Sequence, residues 1–159
     1  MNKKTLVAYF SATGTTKETA ENLSKALECD IYEIKPSVPY TDSDLNWTDK
    51  NSRSSIEMKN LNSRPKMIED NFSVSDYDVI FLGFPIWWYI APTIINTFLE
   101  RYDFSNKKII LFATSGGSGF GKTVDNLKKS VSDTCEITKG DILNSNPTLE
   151  RLKVWVKKF

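Results

Sequence analysis

The chain has 159 residues, of which 40% are hydrophobic, and this is enough to build the core of one domain of usual size. Its 21 basic and 20 acidic residues leave a formal net charge of +1, which argues against binding to nucleic acid or to an anionic membrane. Two cysteines outside any metal-ligand spacing, and no histidine, argue against a metal site and against histidine-based nucleophilic catalysis. No stretch approaches the roughly 20 apolar residues of a membrane span, so we expect a soluble protein of the cytoplasm.

The first predicted elements are a buried strand, a hydroxyl-rich turn and a helix. Leu6 to Phe10 has the composition of a buried strand, and Ala20, Leu23 and Leu27 recur at helical spacing beyond the turn. Free backbone N–H groups and the positive end of the helix dipole attract anions at such a junction. The candidate anion-binding residues are Ser11, Ala12, Thr13, Gly14, Thr15 and Thr16. We predict a monophosphate site, because the further glycines of a dinucleotide-binding loop are absent.

An ordinary helix start is the simpler interpretation of the same turn. Thr15 and Glu18 have the spacing of a capping box, in which each side chain bonds a backbone N–H group near the helix N-terminus. The two interpretations are compatible. A cap needs only one or two of these groups, so four hydroxyls within six residues favour a ligand.

Strands and helices alternate along the rest of the chain. Further strands are predicted at Asp30 to Lys35, Asp78 to Phe84, Lys108 to Thr114 and Cys135 to Leu143. Helices are predicted at Pro92 to Tyr102, around Val124 to Val131, and at Pro147 to Lys158, the last entered through Asn146 with Leu149, Leu152 and Val156 facing inward. This alternation indicates an α/β fold with a parallel sheet covered on both faces by helices. Ligands of such folds bind beyond the carboxyl ends of the strands.

The second strand-to-helix junction contains two adjacent tryptophans. The candidate binding residues are Pro85, Ile86, Trp87 and Trp88. Tryptophans in a loop at this edge of a sheet offer a broad stacking surface and N–H donors. We expect one of the two to pack on the neighbouring helix and the other to meet a flat ligand, whose polar edge the backbone of Phe84 to Trp88 can bind.

The third junction is rich in glycine and permits two interpretations. Its candidate binding residues are Thr114, Ser115, Gly116, Gly117, Ser118 and Gly119. Gly116 to Thr123 also matches the phosphate loop of nucleoside triphosphatases. No later strand ends in the aspartate that would hold Mg²⁺ in such an enzyme. We therefore favour a flexible backbone loop that covers a ring system.

With the three junctions together, the chain resembles the flavodoxin family of small FMN proteins over essentially its whole length. The resemblance implies a single domain over residues 1–159 with a doubly wound, five-stranded parallel sheet in order 2-1-3-4-5 and helices on both faces. It also implies one non-covalent FMN, held by Ser11 to Thr16, by Pro85 to Trp88 and by Thr114 to Gly119. Because the flavin supplies the redox chemistry, no catalytic side chain is expected.

The chain departs from the family pattern in three respects. Electron-carrier flavodoxins are strongly acidic, whereas this chain is neutral. The second flavin loop offers only Phe120 as an aromatic, so one flavin face is expected to be open. A long polar insert also runs from Pro36 to Asp76.

Two interpretations of the insert stay open. It is either a surface excursion with a short helix near Ser54 to Asn60, anchored by Trp47 and Leu61, or a lid near the flavin on which Arg53 and Tyr40 meet a substrate.

Three functions follow, in decreasing order of preference. The first is an electron carrier that serves redox partner proteins or a small redox acceptor. The second is an FMN-dependent NAD(P)H oxidoreductase of the quinone reductase type. The third is a nucleotide-binding protein that uses the loop from Gly116 to Thr123.

Overall fold

The computed structural model describes residues 4–159 and contains one sheet of five parallel strands in the order β2-β1-β3-β4-β5. The strands are β1 Thr5–Tyr9, β2 Asp30–Glu33, β3 Val79–Pro85, β4 Lys108–Thr114 and β5 Glu136–Ile142. The helices are α1 Thr15–Leu27, α2 Arg53–Lys59, α3 Thr93–Arg101, α4 Thr123–Lys128 and α5 Leu149–Val156. The predicted fold class and strand order are therefore confirmed, and each predicted strand is present with bounds that differ by at most two residues.

The central strands are buried on both faces, which explains their nearly continuous apolar sequences. Ala8 of β1 lies level with Leu82 of β3, which in turn lies level with Leu111 of β4. All three side chains are fully buried. This register brings the ends of β1, β3 and β4 to the same edge of the sheet, where the three predicted loops begin.

Two apolar layers cover the sheet. One face packs against α3 and α4, with Ile95, Phe98 and Leu127 in its core. The opposite face packs against α1 and α5, with Leu23 and Leu152 in its core. Helices on both faces fix the sheet as the middle layer, so a ligand can approach only at an edge.

Two predicted helix starts are wrong in detail. Helix α1 has Gly14 as its N-cap, with φ of 96° and no side-chain cap, so Thr15 and Glu18 form no capping box. Helix α5 is capped by Thr148 rather than entered through Asn146, because the Thr148 hydroxyl accepts a bond from the Arg151 N–H.

The predicted inward face of α5 is wrong at one position. Leu149 is 37% exposed, whereas Trp155 is buried and its indole donates to Asp141 over 2.7 Å. Leu152 is buried as predicted, and Val156 is half-buried. The indole of Trp155 packs against Phe81 of β3, at a centroid distance of 5.9 Å, and so takes the inward position that was expected of Leu149.

The insert at 36–76 forms the short helix α2 close to the predicted position. Ser52 caps it, and a bridge between Pro36 and Met67 closes the base of the insert. The predicted anchors Trp47 and Leu61 are wrong, since both are exposed. The buried side chains of the insert are instead Ser52, Ser54, Ser55, Met58, Met67 and Val74.

Polar contacts join the insert to helix α3 at several points. The Ser63 and Thr93 hydroxyls lie 2.9 Å apart, and Arg64 forms an ion pair with Glu100 at 3.0 Å. The guanidinium of Arg64, together with Ser130, holds the pKa of the Glu100 carboxyl below its usual range. The insert therefore has a defined position over the edge of the sheet at which β1 and β3 end.

Candidate functional site

A cavity of about 790 Å³ opens where β1, β3 and β4 end. All three predicted loops contribute to its wall, and so does the insert. The lining residues are Ala12, Thr13, Thr15, Thr16, Leu45, Trp47, Ser54, Pro85, Ile86, Trp87, Trp88, Tyr89, Thr114, Gly116, Gly117 and Ser118. Of the predicted binding residues, Ser11, Gly14, Ser115 and Gly119 belong to the same loops but do not line the cavity. None of the lining residues is charged.

The loop after β1 is shaped by its own hydroxyls. The Ser11 hydroxyl accepts a bond from the Gly14 N–H at 3.0 Å, and the Thr13 and Thr15 hydroxyls lie 3.3 Å apart. Because α1 has no side-chain cap, the N–H groups of its first turn remain available to a ligand beside Thr15 and Thr16. The loop therefore offers a compact set of uncharged donors.

A buried bond ties the first loop to the third. The Thr16 and Thr114 hydroxyls lie 2.7 Å apart, and both residues are almost fully buried. Both also line the cavity. This hydrogen bond therefore fixes the distance between the first and third loops at the base of the cavity.

The tryptophans sit in a tight turn between β3 and α3. Trp87 and Ile90 exchange two backbone hydrogen bonds, at 2.9 and 3.2 Å. The two residues that lie between Trp87 and Ile90 are Trp88, with φ of 48°, and Tyr89, with φ of 69°. Positive φ at both positions is typical of the two-residue turns of tight hairpins. Positive φ at a residue other than glycine costs about 1–3 kcal/mol, and such strain is concentrated at functional sites.

Trp87 packs against the end of β1 and against the insert. Its ring makes edge contacts with Phe10 and Tyr40, at centroid distances of 5.7 and 5.3 Å. Trp88 is 42% exposed. Both tryptophans line the cavity, so the division of roles between them stays a prediction.

Arg53 and Tyr40 contact each other and do not line the cavity. The Arg53 guanidinium lies 3.8 Å from the centre of the Tyr40 ring and forms an ion pair with Glu57 at 3.1 Å. The Tyr40 hydroxyl also donates to Glu57. Burial, followed by this hydrogen bond, raises the pKa of Tyr40 above its usual range. Neither residue lines the cavity, so the expected contact of Arg53 and Tyr40 with a substrate is not supported by their positions.

The third loop is held by a residue that the sequence analysis missed. The Ser115 hydroxyl accepts bonds from the N–H groups of Gly117 and Ser118, at 3.2 and 2.9 Å. Asn144 accepts from the Ser115 N–H at 2.9 Å and donates to the Ser115 carbonyl at 2.8 Å. The position of Asn144 just after β5 could have indicated this role, because the fifth strand ends at the same edge of the sheet as the others.

A phosphate loop at Gly116 to Thr123 would need the hydroxyl of Thr123 to be free to bind Mg²⁺, and it is not. Thr123 is fully buried, and its hydroxyl donates to the Phe120 carbonyl. It is therefore not available to a Mg²⁺ ion. Phe120 is buried against Phe84 and does not line the cavity, so the third loop contributes no aromatic ring to it.

Comparison with known proteins agrees with this architecture. A model of the flavodoxin family matches residues 4–159, almost the whole chain. The chain belongs to the flavodoxin family.

Solved structures of flavoproteins are similar to this flavodoxin-family chain. A putative flavoprotein from Bacteroides uniformis ATCC 8492 is 46% identical, with a TM-score of 0.91 and 99% of each chain covered. A flavoprotein from Lactobacillus acidophilus NCFM, solved in complex with FMN, is 24% identical, with a TM-score of 0.71 over 98% of this chain and 99% of that one. The second similarity, at this identity, shows a shared fold.

One curated enzyme is more distantly similar to this chain. NAD(P)H dehydrogenase (quinone) 1 from Rattus norvegicus is 25% identical over 118 residues, which cover 60% of this chain and 43% of the enzyme. The chain therefore spans less than half the length of that enzyme. Within residues 4–159 of the chain, no helix is long and apolar enough to cross a membrane.

Proposed function

We propose that this protein binds one FMN non-covalently in the cavity and carries electrons through it. The observation that carries the proposal is the convergence of three strand-end loops on one cavity of about 790 Å³ with uncharged walls. Pockets of this size, with apolar walls and a few placed polar groups, suit a cofactor of the size of FMN. The family and the FMN complex of the Lactobacillus acidophilus flavoprotein support the same cofactor.

The donors and aromatic rings fit the two ends of FMN. The phosphate suits the first loop, where the hydroxyls of Thr13 and Thr15 adjoin the free N–H groups that begin α1. The flat ring suits the wall formed by Trp87 and Trp88. The loop at 114–119 then covers the remaining edge with backbone, held in shape by Asn144.

When bound, FMN supplies reversible uptake of one or two electrons, so the chain has to provide only binding and a controlled environment. Peptide groups of the turn at Pro85 to Trp88 can donate to or accept from the polar ring edge. The strained turn at Trp88 and Tyr89 holds those groups in one orientation. Neutral walls leave the charge on the ring uncompensated by side chains, which favours uncharged forms of the ring.

The expected partners are redox proteins or a small redox acceptor, and we expect neither nucleic acid nor a membrane. A net charge of +1 gives no strong field for steering, so a docking surface must act through local contacts. We place this activity in the cytoplasm. Two free cysteines, Cys29 and Cys135, are consistent with a reducing compartment.

A second candidate is an FMN-dependent NAD(P)H oxidoreductase that reduces quinones. It is favoured by the exclusion of Phe120 from the cavity, which leaves one ring face without an aromatic cover from that loop. The match to part of a quinone dehydrogenase supports the same candidate. A small planar acceptor would then stack on the uncovered face.

Steady-state oxidation of NAD(P)H by the FMN-loaded protein distinguishes the two candidates. A carrier consumes NAD(P)H negligibly with a quinone present, yet after chemical reduction it passes electrons to a one-electron acceptor protein. Sustained turnover with quinone would favour the oxidoreductase. A protein that binds no FMN would contradict both.

A further inference from the structure

The insert supplies a wall of the cavity that the three strand-end loops do not. Leu45, Trp47 and Ser54 all line it, and all lie between β2 and β3. Two of these side chains are apolar or aromatic, and the third is a hydroxyl. The insert therefore reaches the cavity, although through residues other than the Arg53 and Tyr40 expected from the sequence.

Ser54 is the unusual member of this wall. It is 2% exposed, and its hydroxyl has no hydrogen-bond partner among the described residues. A buried polar group without a partner is unfavourable, and native structures rarely keep one without a reason. Because Ser54 is one of the residues that line the cavity, its unpaired hydroxyl is a candidate contact for a ligand there.

The other buried serines of the same helix start have partners. The Ser52 hydroxyl donates to Ser55 at 2.9 Å, and the Ser55 hydroxyl donates to the Asp49 carbonyl at 2.8 Å. Ser54 uses only its backbone N–H, which donates to the Asp44 carbonyl at 3.0 Å. Helix capping therefore accounts for Ser52 and Ser55 but leaves the Ser54 hydroxyl unexplained.

The backbone around Ser54 is fixed independently of any ligand. Arg53 next to it is held by Glu57 and by the Val38 carbonyl, at 3.1 and 2.7 Å. The Tyr40 ring under Arg53 contacts Trp87, so the insert is packed against the tryptophan turn. A preorganised hydroxyl loses little entropy when it binds, which makes it an effective contact.

We propose that the Ser54 hydroxyl hydrogen-bonds the FMN bound in the cavity, and that the insert is thereby a cofactor-binding wall. This inference rests on the proposed function. FMN has phosphate, ribityl and ring oxygens that can accept from a hydroxyl, and ribityl hydroxyls that can donate to one. Among the described residues of the cavity wall, the Ser54 hydroxyl is the one fully buried side-chain group without a partner, and this bond satisfies it.

The test is Ser54→Ala, compared with Ser43→Ala at an exposed position of the same insert. We expect Ser54→Ala to raise the Kd for FMN roughly three- to tenfold, the range of one lost hydrogen bond. The Tm of the FMN-free variant should be unchanged or higher, because the substitution removes an unsatisfied group. Ser43→Ala should alter neither quantity. Titration calorimetry and thermal unfolding measure both.

The two readouts separate binding from structure. An unchanged Kd in Ser54→Ala would overturn the inference, and so would a Kd that rises only together with a fall in the FMN-free Tm, since that combination indicates a structural role. If the unaltered protein binds FMN and Ser54→Ala binds it with the same Kd, the proposed function stands and only this contact is disproved. Failure of the unaltered protein to bind FMN would overturn both.

Discussion

At the scale of single residues, the site depends on backbone conformation more than on reactive side chains. Gly14 begins α1 with φ of 96°, and the Ser11 hydroxyl accepts from its N–H. Trp88 and Tyr89 adopt positive φ without being glycine. Gly14 leaves the first N–H groups of α1 without a side-chain cap, and Trp88 and Tyr89 line the cavity.

Replacing Gly14 by alanine tests the first of these conformations. No atom lies within 4 Å of an added Cβ, so the penalty comes only from the left-handed φ, about 1 kcal/mol of folding free energy. We expect the Tm of the FMN-free protein to fall and FMN to bind more weakly. Gly119→Ala is the control for stability, because Gly119 has equal space and no positive φ. Equal Tm values for the two variants would contradict this account.

Asn144 is expected to act through the loop that it holds. Asn144→Ala removes two hydrogen bonds to Ser115, each contributing about 0.5–1.5 kcal/mol. The loop at 115–119 should then exchange its amide hydrogens faster, and the Kd for FMN should rise. Asn22→Ala, which removes a single exposed bond to Asn146, serves as the control. Unchanged exchange in that loop would contradict the positioning role.

The two cysteines should react slowly near neutral pH. Burial raises the pKa of Cys29 to about 11, and burial likewise raises that of Cys135 to about 11. The raised values favour the thiol over the reactive thiolate until the pH approaches 11. Alkylation by iodoacetamide at pH 8 should be slow in the folded protein, should speed up with rising pH, and should become fast on denaturation. Rapid labelling of the native protein at pH 8 would contradict these pKa values.

At the scale of secondary structure elements, the strands were predictable and the helix starts were less so. The apolar run from Lys108 to Thr114 predicts a buried strand, and β4 has those bounds. Helix caps depend on local backbone geometry, and the left-handed Gly14 replaced the expected capping box. Asn144 was missed because its role is a contact between distant loops, which local patterns do not reveal.

The insert shows why a long polar segment is hard to interpret. A short helix was predicted, yet the aromatic Trp47 was expected to anchor it and is 74% exposed. Its position at the cavity wall is decided by contacts with other elements, such as Arg64 with Glu100 and Tyr40 with Trp87. Nothing in the spacing of the insert encodes these contacts.

Removing residues 41–63 tests the role of the insert as a whole. Because the deletion takes away Leu45, Trp47 and Ser54, we expect a loss of FMN affinity greater than that of any one substitution among them. Far-ultraviolet circular dichroism should show that the sheet and the five main strands persist. Wild-type affinity in a folded deletion variant would mean that the insert is remote from the cofactor.

At the scale of the whole molecule, the order of the strands creates the site. The order 2-1-3-4-5 places β1 and β3 side by side, and β4 next to β3, so loops far apart in sequence meet at one edge. The bond between Thr16 and Thr114 joins residues 98 positions apart. The convergence of the three loops was predictable from the sequence once a doubly wound sheet was inferred, whereas the wall from the insert was not.

The most direct test of the central claim is the visible absorption spectrum of the purified protein, followed by titration of the cofactor-free protein with FMN. We expect flavin bands in the purified protein, or saturable uptake of one FMN per chain with quenching of tryptophan fluorescence, since Trp87 and Trp88 line the cavity. A colourless protein that takes up no added FMN would contradict the account.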